Sequence, residues 1–176
     1  MDPQAGQTLV ELVVALAVAG TLASGAVAGF GQLQRQARMT AAANALVHGA
    51  HVARQAALVR GTEIVLCRSS DGHQCRHNGD WSGGFIVFAN DDGDSPPRVD
   101  AGEAILEAGV PFPGGFIGAN RSFFVFRPPG RRSVNGTLWL CDDRGAAAAR
   151  VVVVSYSGRP RAAPGHESPT APSCPV

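Results

Sequence analysis

From Leu9 to Phe30 the chain reads LVELVVALAVAGTLASGAVAGF, an apolar run of twenty-two residues whose one charge is Glu11. As a helix rising about 1.5 Å per residue, the run reaches roughly 33 Å, enough to cross a bilayer core. A secretory signal has a shorter apolar stretch, a basic start and a small-residue cleavage site behind it. Met1-Asp2-Pro3-Gln4-Ala5-Gly6 instead carries an acid and no base. A plain membrane anchor leaves Glu11 unexplained, because a carboxylate inside hydrocarbon costs several kcal/mol unless a partner neutralises it.

Gly6-Gln7-Thr8-Leu9-Val10-Glu11, followed at once by the apolar helix, resembles the processing site of type IV prepilins and pseudopilins. The resemblance implies cleavage between Gly6 and Gln7 by a prepilin peptidase, methylation of the new terminus, and Glu11 as the fifth mature residue. A carboxylate in lipid that meets the terminal ammonium of an adjacent subunit rewards helix packing in one axial register. Two features differ from the usual pattern: Gln7 stands where Phe is common, and the leader lacks Arg and Lys. Arg35 and Arg38 follow the span on the side expected to be exported. A start upstream of Met1 would reconcile this.

Beyond Phe30 the pattern becomes amphipathic, with Met39, Ala43, Leu46, Ala50, Ala53 and Ala57 at spacings of three and four and Gly61 as a stop. One helix from about Thr8 to Arg60 is predicted, its second half packed on a domain. Gly20, Gly25, Gly29 and Gly31 mark close-packing or bending points. The rest reads as strands over Thr62–Cys67, Gly84–Phe88, Ala104–Leu106, Ser122–Phe126, Thr137–Cys141 and Arg150–Tyr156, divided by Gly, Pro and Asp clusters. Strands against one helix make an α+β domain. From Ser157 five Pro in twenty residues predict a tail. The expected organisation is a leader (1–6), a transmembrane and assembly half-helix (7–30), an amphipathic half-helix (31–60), a β domain (61–156) and an Arg/Pro-rich tail (157–176).

Four Cys in an exported domain suggest two disulfides. Cys67 and Cys75 enclose a short loop, and Cys141 with Cys174 would pin the tail to a strand; other pairings stay open. Cys67, His73, Cys75 and His77 are also potential zinc ligands, but they lack paired C-x-x-C spacing, and an oxidising compartment favours the disulfide. No metal or other cofactor is expected.

In chain order, Leu66-Cys67-x-Ser-Ser-Asp-Gly, Gly79-Asp80-Trp81-Ser82-x-Gly84-Phe85-Ile86-Val87-Phe88, the acidic turn Asn90 to Glu103, Phe124-Val125-Phe126-x-Pro-x-Gly130-Arg131 and Leu138-Trp139-Leu140-Cys141-Asp142-x-Arg144-Gly145 resemble the GspH/FimT family of minor pilins and pseudopilins. That resemblance, covering Gly6 to Arg161, implies a type IV pilin-like fold: a long N-terminal helix, membrane-embedded in its first half, packed on a C-terminal antiparallel β-sandwich. It implies a subunit in the inner membrane, single-pass with the C-terminal domain in the periplasm, and then in a pilus or pseudopilus, at or near its tip. Other pilin or pseudopilin subunits are the implied partners.

Ser157-Gly158-Arg159-Pro160-Arg161 matches the G-R-x-R motif associated, in the FimT branch, with binding DNA for uptake in natural transformation. Gly158 permits a sharp exit from the strand, and Pro160 holds the chain extended. Arg159 and Arg161 then lie about 6–7 Å apart, near the phosphate spacing along one strand. Each guanidinium can grip a phosphate of double-stranded DNA without reading sequence. Arg131, Arg132, Arg144 and Arg150 are further basic candidates. All 15 basic residues are Arg; residues 1–110 hold 7 against 11 acids, whereas residues 111–176 hold 8 against 3. A net +1 therefore conceals a basic final third. The bland reading is solubilising charge; the runner-up is a type II secretion pseudopilin, protein H-like, that contacts other pseudopilins and ignores DNA.

Asn90-Asp91-Asp92-Gly93-Asp94, with Asp100 and Glu103, has oxygens at alternating positions like a calcium loop, but its Gly is misplaced. A solvated acidic turn is the better reading, and its repulsion of DNA places the basic face elsewhere on the domain. His48 and His51 read as packing or surface polarity, and Trp81 and Trp139 as core. No G-x-S-x-G elbow, phosphate loop or H-E-x-x-H is present, so no enzyme is expected.

Overall fold

The computed structural model describes residues 8–167 and Cys174, with the backbone alone for residues 23–29. Two compact units divide at residue 37, and helix α1 (Leu9–Arg60) contributes to both. At its start the Thr8 hydroxyl accepts a hydrogen bond from the Glu11 N–H (3.4 Å), an N-cap that satisfies one of the unpaired donors of the first turn. The expected cleavage site, Gly6 and Gln7, lies outside the described residues. In this N-terminal unit Leu9, Leu16, Leu22 and Phe30 are exposed, so this part of the helix presents an apolar surface. Among the described residues no helix is long and apolar enough to cross a membrane; the expected span of 7–30 includes residue 7 and the side chains of 23–29, which lie outside them.

From Arg38 onward α1 belongs to the C-terminal unit. Met39, Ala43, Leu46, Ala50, Ala53 and Ala57 are all buried there, the face that the sequence spacing predicts. Five of the six are small or unbranched enough for the sheets to approach the helix axis closely. The helix ends where Gly61, at φ 71°, takes a left-handed conformation, which only glycine adopts without strain.

Among the described residues the strands are β1 (Glu63–Arg68), β2 (Phe85–Asn90), β3 (Ile105–Gly109), β4 (Gly115–Ala119), β5 (Phe123–Phe126), β6 (Gly136–Asp142), β7 (Arg150–Val154) and β8 (Pro160–Pro164). They form two four-stranded sheets, ordered β3-β2-β1-β5 and β4-β6-β7-β8, antiparallel throughout. One apolar core joins the helix face to the inward residues of both sheets, among them Ile64, Leu66, Val87, Leu138, Leu140, Val152 and Val154. A second cluster on the opposite face of the first sheet gathers Val65, Cys67, Ile86, Phe88 and Val125. Both follow from the period-two alternation of strands.

Three sequence expectations change. The strand read as Arg150–Tyr156 stops at Val154, and residues 155–159 form a turn instead. The segment read as a tail supplies β8, an edge strand paired with β7 from Arg150↔Pro164 to Val154↔Pro160. Proline is tolerated there because an edge strand is paired on one side only. Strand β4, Gly115-Phe116-Ile117-Gly118-Ala119, has too few apolar residues to show alternation and was not anticipated.

Cys67 bonds Cys75 (Cα–Cα 5.6 Å) and Cys141 bonds Cys174 (5.7 Å), the two pairings expected. The first closes a loop whose carbonyls converge on one side chain. Arg68, 9% exposed, donates to the carbonyls of Arg76 (2.9 Å), His77 (2.8 Å) and Gly79. Asp71 turns the same loop: N–H groups of Gln74 and His73, then the Ser69 hydroxyl, hold its carboxyl at about 2. With Cys67 and Cys75 oxidised, the potential zinc set loses both thiolates.

Candidate nucleic-acid interface

The turn between β7 and β8 closes on itself. Gly158 N–H donates to the Ser155 carbonyl (2.9 Å) and Ser155 N–H to the Arg159 carbonyl (3.1 Å), while Arg159 N–H donates to the Ser155 hydroxyl (3.1 Å). Two outside contacts fix it to the domain: Ser133 N–H reaches the Tyr156 carbonyl (2.9 Å), and Arg54 Nε of α1 reaches the Ser157 carbonyl (3.1 Å); Gly158 is buried. Gly158 sits at φ 71°, and a Cβ there would lie 3.1 Å from the Phe126 ring and 3.2 Å from Ser133 Oγ. Both conformation and space therefore call for glycine at the head of the motif.

This fixed turn leads into β8 with Arg161 opposite Val153. Val152 and Val154 face the core, so by alternation Val153 and Arg161 face away from it. Arg159 precedes Arg161 by two residues, at the end of the turn that leads into the strand. Both are exposed, and among the described residues neither forms an ion pair.

The other basic candidates divide. Arg132 joins the motif: its guanidinium lies 5.7 Å from the centre of the Tyr156 ring. Arg131 lies in the same connection between β5 and β6 but bonds Glu63 (2.8 Å), which also binds Arg127 (2.8 Å). Because 60% of the Arg131 side chain is exposed, it keeps part of its field at the surface. Arg144 does not join. It follows the far end of β6, beyond Asp142, whereas Gly136 marks the end beside Val154 and Pro160. Six strand steps separate the two ends, roughly 20 Å. Arg144 is also engaged by Asp142 at 2.6 Å, and these hydrogen bonds raise its pKa despite partial burial. Arg150, paired with Leu140 and Pro164, lies toward that far end too.

The acidic turn is closer to the motif than expected. Asn90 pairs with Glu63 at the end of the first sheet that also holds Phe126, so it sits two strands across from β5, roughly 10 Å. Asp92, Asp94 and Asp100 bring carboxylate oxygens within 4.8 Å of one another, and these groups cap main-chain N–H groups: Asp92 takes that of Asp94 (3.0 Å), and Asp94 that of Arg98 (3.2 Å). Glu63 stands between this acidic group and the arginines. Trp81 is buried as expected; Trp139 is not core but half-buried on the outer face of the second sheet, over Gly118. His48 and His51 are exposed.

Sequence reasoning missed Arg54, Glu63 and Tyr156. Arg54 lies 103 residues from the Ser157 carbonyl it bonds and Glu63 lies 64 residues from Arg127, and nothing local signals either. Tyr156 was absorbed into the preceding run of valines.

Residues 42–158 match the family described as type II transport protein GspH, and residues 1–27 match the prokaryotic N-terminal methylation motif. No curated protein matches. A crystal structure of the type IV minor pilin FimU of Pseudomonas aeruginosa superposes with a TM-score of 0.57 at 18% identity, over 79% of this chain and 98% of that one. A crystal of the same protein in another space group gives 0.54 at 19%, over 75% and 98%. At these identities the likeness shows the fold.

Proposed function

Because the chain belongs to the GspH/FimT family of minor pilins and pseudopilins, we propose that it is a pilus subunit whose β7–β8 turn captures double-stranded DNA through its phosphates for uptake in natural transformation. The observation behind this reading is the pair Arg159 and Arg161. In a domain where Arg127, Arg131 and Arg144 are matched by carboxylates, these two are exposed and lie two residues apart, Arg159 in a turn fixed by main-chain bonds and Arg161 in the strand it leads into. At their spacing each guanidinium meets a successive phosphate. Cleavage after Gly6 by the prepilin peptidase, insertion of residues 7–30 in the inner membrane with the β domain in the periplasm, and packing through Glu11 complete the proposal. A cationic grip of this kind gives sequence-independent binding that weakens with salt.

Titrating full-length protein in uncharged detergent with duplexes of unrelated sequence tests it. The expected affinity is micromolar to submillimolar, independent of sequence, and falls as salt rises from about 50 to 200 mM. A folded protein with no affinity at the lower salt contradicts the proposal.

One observation favours the second reading, a secretion pseudopilin that docks other subunits. A cleft of about 160 Å³ is lined by Ala42, Leu46, Trp81, Phe85, Phe112 and Ile117, with Arg38 at its wall, and the neighbouring Val110 is exposed. An apolar cleft beside an exposed valine suits a subunit contact. Failure of DNA binding together with loss of assembly on Val110→Asp would favour that branch.

A further inference from the structure

Tyr156 is the chain's one tyrosine, and it is 57% exposed at the apex of the turn that presents Arg159. An exposed ring at a tight turn is ordinarily mobile; here the backbone is held and the ring has a neighbour. Its own carbonyl accepts from Ser133 N–H at 2.9 Å, and the Arg132 guanidinium lies 5.7 Å from the ring centre, close enough for cation–π attraction. Arg132 thereby lies over one face of the ring, while 57% of the residue stays open to solvent.

Building on the DNA reading above, we propose that Tyr156 is a stacking platform for an unpaired base. The phosphates held by Arg159 and Arg161 then belong preferentially to a single strand, a gap or a frayed end. The argument is one of access. Within a duplex each base face is covered by its neighbours, so an aromatic ring finds no face to stack on; in a single strand every base offers one. A phosphate clamp alone accepts both forms. A clamp with a ring three residues from Arg159 adds a contact that only the unpaired form supplies. The Arg132 guanidinium over the ring strengthens the stack by polarising it.

The test compares a short fluorescent strand with its duplex, each titrated against full-length protein in uncharged detergent. Tyr156→Ala is expected to weaken binding of the strand about tenfold and of the duplex less than twofold. Tyr156→Phe should retain both affinities, since the ring face and not the hydroxyl is used. Tyr156→Leu, which keeps apolar bulk without the flat face, should behave as the alanine variant and guards against a loss caused by an unpacked turn. Equal weakening of both forms, or no weakening of either with Arg159→Ala/Arg161→Ala still reducing both, overturns the platform and leaves the phosphate clamp standing. Absence of any wild-type binding fails the DNA reading itself, and the platform with it.

Discussion

Replacing Arg159 and Arg161 together by alanine is expected to lower duplex affinity at low salt by about two to four orders of magnitude. Each charge-assisted contact to phosphate contributes about 1.5–3 kcal/mol, and every 1.4 kcal/mol is a factor of ten. The salt dependence should change in step: losing two phosphate contacts lowers the slope of log K against log salt by about 2. Folding stability should move by less than about 0.5 kcal/mol, because both side chains are exposed and have no ion-pair partner among the described residues. Arg144→Ala is the informative contrast. It removes the guanidinium that bonds the Asp142 carboxylate, 6% exposed, so stability falls by roughly 1–3 kcal/mol while the salt slope stays unchanged. A basic residue of the same final third thus separates charge that binds from charge that holds the fold. Isothermal denaturation and fluorescence anisotropy on the same samples read both quantities.

The second large effect concerns the strand that presents Arg161. Strand β8 is an edge strand of Pro, Arg and Ala, and its pairing with β7 is its one sheet contact. The Cys141–Cys174 bond, with a sequence separation of 33, closes a loop containing both strands. Removing it as Cys141→Ser/Cys174→Ser is expected to cost roughly 3–4 kcal/mol, chiefly by restoring freedom to the unfolded chain. The Cys67–Cys75 bond, with a separation of 8, should matter less, at roughly 2–3 kcal/mol by the same relation. At a temperature where the Cys141/Cys174 variant remains folded, DNA affinity should fall only severalfold, since the turn itself is held by Ser133 and Arg54. Urea melts with and without each bond check the ordering; a larger loss at Cys67–Cys75 would show that the loop-closure argument does not apply to this domain.

These outcomes depend on features of unequal legibility in the sequence. The helix face could be read because Met39 through Ala57 recur with the helical period, and period survives without knowledge of tertiary structure. Strands β1, β2, β5 and β6 could be read because their β-branched and aromatic residues form dense runs. Strands β4 and β8 could not: glycine, proline and alanine carry no strand signal, and both segments exist because a neighbouring strand offers a free edge. Four Cys pointed to two disulfides, but their connectivity stays open in the sequence and is set by the fold. The motif Gly158-Arg159-Pro160-Arg161 was visible as a motif, but its company was not. Arg144 follows a strand just as Arg159 does, and only the antiparallel register shows that they occupy opposite ends of one sheet. The acidic turn and the arginines share an end of the domain for the same reason, with Glu63 between them. Tyr156 was hidden by the valines before it, which suggested that the strand continued through it.

The central claim is that Arg159 and Arg161 touch DNA and the other arginines largely do not. All 15 basic side chains are arginines, so the Nε–H resonances of isotope-labelled full-length protein in micelles report on every basic contact at once. On adding duplex DNA, the signals of Arg159 and Arg161 should shift most, Arg132 less, and Arg68 and Arg144 not at all. Shifts centred on Arg144 and Arg150, or an unperturbed Arg159 and Arg161 in a sample that binds DNA, would contradict the account.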